Sequence, residues 1–122
     1  MIDISDEKFQ ELIDDALGEL PKQQVENIKN VAILYENVPT SEQRKELALR
    51  NDQTLLGLYQ GVPLSQRQGV TPILPDKITL FKDPLCYKGD TLDEVREEIK
   101  HTLWHEIAHY YGLNHDQIYN LE

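Results

Sequence analysis

The sequence predicts a domain that mixes helices with strands, with helices at both ends of the chain and three short strands between them. Apolar residues recur at helical spacing near the amino terminus and, over a longer stretch, near the carboxyl terminus. Short apolar runs of strand length lie between these two segments. The chain has 122 residues, 39% of them hydrophobic, which is enough for one core, so residues 1–122 are predicted to form a single domain.

Two helices are predicted near the amino terminus. Ser5 precedes two acidic residues and suits the capping position, because its hydroxyl can accept a hydrogen bond from an N–H group of the first turn. The apolar residues that then form one stripe at helical spacing are Phe9, Leu12, Ile13, Ala16 and Leu20. Pro21 ends or restarts this helix, since proline cannot continue a helix interior. A second short helix is predicted from Gln24 to Ile28.

Three segments in the middle of the chain are predicted to be strands. Val31–Tyr35 is an apolar run bounded by polar residues, which predicts a buried strand, and Leu55–Gln60 and Ile78–Phe81 predict two more. Between the first and second strands, Thr40 begins a capping box, which predicts a short helix to about Arg50.

A long connection, Gly61–Pro75, joins the second and third predicted strands and contains two glycines and three prolines. Connections of this length are uncommon in small domains, and many of them are lids or binding loops. Length alone does not reveal chemistry, so a border of the functional site and a plain connection without a role are both open.

One long helix is predicted from Leu92 to Tyr111. It opens with a second capping box, Thr91-Leu-Asp-Glu94. The apolar residues within one stripe are Leu92, Val95, Ile99, Leu103, Ile107 and Tyr110. After Lys100 further apolar residues occupy other sides of the helix, so its second half is predicted to be buried almost all round.

The end of this helix carries the most informative pattern, His-Glu-x-x-His-x-x-Gly-x-x-His-Asp. Residues four apart lie one helical turn above each other, so His105 and His109 can direct imidazole nitrogens at one zinc ion. Gly112 stands where the helix must end, because glycine enters the left-handed conformation without steric cost. The chain can then turn back and His115 can supply a third ligand, which leaves the fourth position for water or substrate.

Glu106 is the predicted general base. It lies about 100° round the helix from His105, close enough to reach a water on the metal without pointing at the metal itself. Zinc lowers the pKa of a bound water from about 15.7 to about 7, and a nearby carboxylate can accept the proton and return it to a leaving amine. The pattern therefore predicts a zinc hydrolase.

Other polar residues near the motif have less certain roles. His101 extends the four-residue series, but three side chains spaced one turn of about 5.4 Å along a straight helix cannot converge on one ion, so we expect a packed or supporting residue. Asp116 can hydrogen-bond a ligand histidine or cap a last helical turn, and both roles are open. Spacing does not select the donor that stabilises the reaction's oxyanion; the candidates are Tyr59, Tyr87, Tyr110, Tyr111, His101 and Arg67.

At these residues the sequence resembles the zincin metallopeptidases, and in particular the small bacterial family of minimal zincin-like metallopeptidases. The similar stretches are Leu55–Leu64, Ile78–Leu85 and Thr102–His109 with Gly112, which span roughly the second half of the chain. The resemblance implies a compact α+β fold in which a small sheet packs on the active-site helix. It also implies metal-dependent peptidase activity.

Two features depart from related proteins. Members of the minimal family often have an acidic residue where this chain has His115, whereas the Gly-x-x-His form resembles the larger metzincins. Metzincins also place a methionine turn beneath the metal. The only methionine here is Met1, so no such turn is expected.

Charge and composition argue against several other classes of protein. With 22 acidic residues against 12 lysines and arginines, the formal net charge is −10, which repels nucleic-acid phosphates and anionic membrane surfaces. No apolar run approaches the roughly 20 residues that span a bilayer. The acidic amino terminus does not resemble a secretory signal, and the single Cys86 is expected to be a small packing residue, so a cytoplasmic location is expected. The oligomeric state is not indicated.

Three functions are compatible with the pattern. The first is a zinc metallopeptidase that acts on peptide or protein substrates, with an extended substrate added to a sheet edge. The second is a zinc-stabilised interaction or regulatory module without turnover. Glu106 argues against it, since a structural zinc site has no use for a base and usually closes with a fourth protein ligand. The third is hydrolysis of a non-peptide amide or ester.

Overall fold

The computed structural model describes residues 2–50, 54–67, 75–113 and 116, and within them it has the predicted α+β fold. A small mixed sheet packs on a long carboxyl-terminal helix, with further helices at the amino terminus. The elements in chain order are α1 (Asp6–Glu19), α2 (Lys22–Val25), β1 (Val31–Glu36), α3 (Ser41–Glu46), β2 (Gly57–Gln60), a single 3₁₀ turn (Leu64–Gln66), β3 (Asp76–Phe81), α4 (Lys82–Lys88) and α5 (Leu92–Tyr111).

The sheet has β3 at its centre. On one side β1 runs parallel to it, with Ile33 beside Ile78, and on the other side β2 runs antiparallel, with Tyr59 opposite Ile78. Ile78 and Leu80 of the central strand are fully buried, whereas every residue of β1 is only partly buried. The strand predicted at Val31–Tyr35 is confirmed, but its predicted full burial is wrong, because this strand lies at an edge of the sheet.

Helix α5 is the element on which the others pack: the sheet, α1 and α4 all contact it. Four aliphatic residues of its predicted stripe are fully buried, namely Val95, Ile99, Leu103 and Ile107. Full burial of such a side chain contributes roughly 1.5–3 kcal/mol, so the stripe accounts for a large share of the attachment of α5 to the core. Leu92 was expected in the stripe but is 41% exposed, because the first three residues of the helix lie at the surface.

Three helix starts follow the capping signals in the sequence, and at α5 the Thr91 hydroxyl accepts a bond from the N–H of Glu94 at 3.2 Å. The Ser5 hydroxyl accepts a bond from the N–H of Lys8 at 3.2 Å, and Thr40 and Gln43 form the complete capping box of α3. Helix α2 begins two residues earlier and ends three residues earlier than predicted. It starts directly after Pro21, which has no backbone N–H group that would need a partner.

Several other boundaries depart from the sequence prediction. Helix α3 stops at Glu46, not near Arg50, because Ala48 adopts a left-handed conformation with φ of 52°. Glycine is the usual residue in this conformation, so an alanine there carries no sequence signal. Strand β2 begins two residues later than predicted, and β3 two residues earlier. Helix α4 was missed; its Pro84 lies in the first turn, where proline is tolerated.

Candidate metal centre

The carboxyl-terminal half of α5 brings together the side chains of His105, Glu106 and His109. One potential ligand atom from each lies within 4.8 Å of the other two, and the two imidazole rings have centroids 4.8 Å apart. The two histidines are half-buried, while Glu106 is only 7% exposed. No other group of three metal-binding side chains was found in the described part of the chain.

These side chains fit a zinc ion. Imidazole nitrogen and carboxylate oxygen are both zinc ligands, and a bond of about 2.0–2.1 Å places two nitrogens on one ion at most about 4 Å apart. The spacing in α5 is close to this limit, and small rotations of the half-buried imidazoles would close the difference. The sequence predicted this pairing because residues four apart share a helix face.

Glu106 has a well-defined environment that sequence reasoning did not predict. Its Oε1 accepts a hydrogen bond from the backbone N–H of Tyr59 in β2, at 3.0 Å. Burial raises the pKa of the Glu106 carboxyl to about 7, and the bond from Tyr59 acts in the opposite direction. A bound cation would favour the ionised carboxylate.

Gly57 is what allows β2 to approach α5 so closely. A Cβ at this position would lie 2.7 Å from Cγ2 of Thr102, closer than a side chain tolerates, and 3.4 Å from Cγ of Glu106, in van der Waals contact. A glycine inside a strand often marks such a close approach of backbone, so this residue was the available signal in the sequence. The resulting contact is the one that orients the Glu106 carboxylate.

A buried polar network lies beside this contact. The Tyr59 hydroxyl donates to Oδ2 of Asp76 at 2.5 Å, and the guanidinium of Arg67 forms an ion pair with the same oxygen. Asp76 is 2% exposed, and the Arg67 guanidinium also lies 5.3 Å from the ring centroid of Tyr110. Burial and the Asp76 carboxylate raise the pKa of the Tyr59 hydroxyl above its ordinary value. The network joins the connection that contains Arg67 to β2, β3 and α5.

Four of the six candidates for the oxyanion donor bond other groups of the protein in this structure. Tyr59 and Arg67 both bond Asp76, while the hydroxyls of Tyr110 and Tyr111 bond backbone groups of residues 29 and 24. Tyr87 is 70% exposed and lines a different cavity. His101 lines the same cavity as His105 and Glu106, although it does not belong to the three-residue cluster.

Two cavities flank Glu106, and together they form a cleft along the outer edge of β2. One has a volume of about 250 Å³ and reaches His105, and the other has a volume of about 460 Å³ and reaches His109. Pro63 and Gln66 line the second cavity, so the described first part of the long connection borders this cavity. Both cavities share Glu106, which can therefore act on a molecule that occupies the whole cleft.

Gly112 ends α5 in the left-handed conformation that the sequence predicts, with φ of 91°. A Cβ there would also collide with the hydroxyl of Ser65 in the loop. Gly112→Ala is therefore expected to lower the free energy of unfolding by at least about 1 kcal/mol, since the left-handed conformation alone costs an alanine roughly 1–2 kcal/mol. Urea unfolding measures this effect.

The matched control for this prediction is Gly18→Ala, in α1. A Cβ at Gly18 would have no neighbour within 4 Å, and alanine is favoured over glycine in a helix by roughly 0.5–1 kcal/mol. The two changes are thus expected to move stability in opposite directions. Equal stability of the parent and the Gly112→Ala protein would show that the loop does not pack on this helix end.

The third predicted ligand, His115, lies outside the described residues, so its position relative to His105 and His109 is not part of the observed geometry. Asp116 is described and is exposed to solvent. In the portions of the chain that the structure covers, no helix has the length and apolar character required to cross a bilayer.

Comparison with known protein families agrees with the geometry. The family model for zincin-like metallopeptidases matches residues 28–122, which includes the whole sheet and α5. The chain belongs to the zincin-like metallopeptidase family. The resemblance drawn from the motif is thereby confirmed, and membership supports a metal, usually zinc, at the cluster on α5. A search of curated proteins found no significant match. In this zincin-like chain α1 precedes the matched region, yet it packs directly on α5.

Proposed function

We propose that the chain is a zinc-dependent peptidase in which His105, His109 and His115 bind the ion and Glu106 is the general base. The observation that carries the proposal is the placement of Glu106. Its carboxylate is buried between the two cavities of the cleft, beside both histidines, and is oriented by a backbone N–H of the neighbouring strand. A site that served only to stabilise the fold would not require a carboxylate there.

The zinc ion and the residues of the chain each supply part of the chemistry of peptide hydrolysis. When bound, zinc acidifies a water molecule and polarises the carbonyl group that the water attacks. Glu106 accepts the proton of that water and passes it to the nitrogen of the leaving amine, so the carboxylate is regenerated in each cycle. Because Oε1 is engaged by Tyr59, we assign the proton to Oε2. The hydrogen bond from Tyr59 holds the carboxylate in position before substrate arrives.

The outer edge of β2 suits an extended peptide. Leu56 accepts a bond from the N–H of Phe81 at 3.0 Å, so its backbone faces the sheet, whereas the N–H of Tyr59 faces Glu106 and the cleft. Backbone groups alternate along a strand, so those of Gly57 face the cleft as well. Among the strands described, none pairs with this edge of β2. A peptide that added to it would place its own backbone across Glu106.

Metal content and peptide cleavage test this proposal together. We expect about one zinc per chain, and cleavage of a peptide library that is lost with a chelator and recovered when zinc is restored. Zinc at 100 times its Kd would also raise the free energy of unfolding by about 2.7 kcal/mol. A chain without zinc, and without a thermal shift on adding it, would contradict the proposal.

A zinc-loaded chain that cleaves no peptide would contradict it in a different way. That result would favour the interaction module if no substrate of any kind were turned over. It would favour a non-peptide hydrolase if simple amides or esters were cleaved instead.

A further inference from the structure

A third cavity, of about 520 Å³, opens beside the cleft. It lies between Val38, which follows β1, the segment just before β2, and α4. Its apolar lining consists of Val38, Leu56, Pro84 and Tyr87, and its polar lining consists of Thr54, Asp83 and Lys88. His105, Glu106 and His109 do not line it.

Two of its lining residues are unusually exposed for their size. Val38 is 54% exposed and Tyr87 is 70% exposed. A single exposed apolar side chain needs no explanation, but here two of them border one concave, largely apolar cavity. Cavities of roughly 300–1,000 Å³ with such linings are the usual form of sites that bind small ligands or side chains.

The cavity adjoins the cleft. Thr54 and Leu56 line both this cavity and the one that contains His105 and Glu106. Thr54 and Leu56 precede Tyr59, whose N–H bonds Glu106, by five and three residues. An extended chain spans at most about 3.5 Å per residue, so the cavity begins within roughly 10 to 18 Å of the reacting groups. A peptide aligned with β2 covers the same distance in about three to five residues.

We propose that this cavity binds a large apolar side chain of the peptide substrate, about three to five residues from the bond that is cleaved. The inference rests on the proposed peptidase function and adds a substrate preference to it. The shared lining residues Thr54 and Leu56 favour this occupant, because a peptide on the β2 edge that extends past them reaches the cavity. Lining charges of both signs, on Asp83 and Lys88, do not favour a strongly charged group.

A second copy of the chain fits this surface less well. Stable interfaces bury at least about 1,000 Å² in total, far more than two exposed apolar side chains around one cavity provide. A single apolar side chain with its adjoining backbone matches the size of the cavity better.

Peptides that carry one phenylalanine at successive positions, with alanine as the matched residue, test the inference on the zinc-loaded chain. Mass spectrometry locates the cleaved bond, and the ratio of kcat/KM for phenylalanine over alanine is measured at each position. We expect a ratio of at least about tenfold at a position three to five residues from the cleaved bond, expressed mainly in KM. In the double variant Val38→Ser with Tyr87→Ser, the ratio at this position should fall to near one.

Leu92→Ser is the matched control, because Leu92 is also an exposed apolar residue but lines none of the three cavities. It should keep the parent ratio. Cleavage without a distant apolar preference, or a preference that survives the double variant, would overturn this inference and leave the peptidase in place. Absence of all cleavage by the zinc-loaded parent would overturn both. Self-association that the double variant abolishes would assign the cavity to a second copy and overturn the inference.

Discussion

Glu106→Gln is expected to abolish peptide hydrolysis while zinc binding is retained. The amide has the shape of the carboxylate, and its carbonyl oxygen can still accept the N–H bond from Tyr59, so the buried contact with β2 survives. An amide cannot accept the proton of the attacking water. Since general-base catalysis contributes about 10²–10⁴-fold, we expect kcat to fall by about 10³-fold or more with little change in KM.

The measurement is peptide cleavage by parent and variant proteins loaded to equal zinc content. Glu98→Gln provides the matched control, because Glu98 lies about two turns earlier on the same helix, is half-buried and does not line the cleft. The control should cleave at the parent rate. Undiminished cleavage by Glu106→Gln would remove this carboxylate from the mechanism.

His115→Ala is expected to weaken zinc binding by more than about 100-fold, and far more than Asp116→Ala. His115 follows His109 by six residues and Gly112 by three, the spacing of the longer zincin motif. A neutral imidazole keeps the site positive, whereas a carboxylate ligand would partly neutralise the ion and acidify bound water less. If Asp116 supports a ligand histidine by hydrogen bond, its loss costs about 10 to 100-fold in affinity.

Titration of the zinc-loaded proteins against a competing chelator measures both affinities. The conformation of α5 in each variant, followed by circular dichroism, separates loss of a ligand from loss of the fold. If Asp116→Ala releases zinc more readily than His115→Ala, Asp116 is the third ligand and the turn after Gly112 runs differently from the one proposed.

The sequence alone determined the features that depend on residues close together in the chain. A capping side chain accepts a hydrogen bond from an N–H group three residues later, so Ser5 and Thr91 predict the starts of α1 and α5. Gly112 likewise predicts the end of α5. The pairing of His105 with His109 depends only on helical periodicity. For this reason both bounds of α5 and two of the proposed ligands were predictable without a structure.

Only the tertiary structure decided what surrounds that helix. The bond between Tyr59 and Glu106 joins residues 47 positions apart, and it exists because β2 pairs with β3 and Gly57 lets it approach α5. The pairing of Arg67 with Asp76 and the half-exposure of β1 likewise depend on which strand occupies the centre of the sheet. Strand order and the distance between layers are set by the packing of the whole core, which no local pattern encodes.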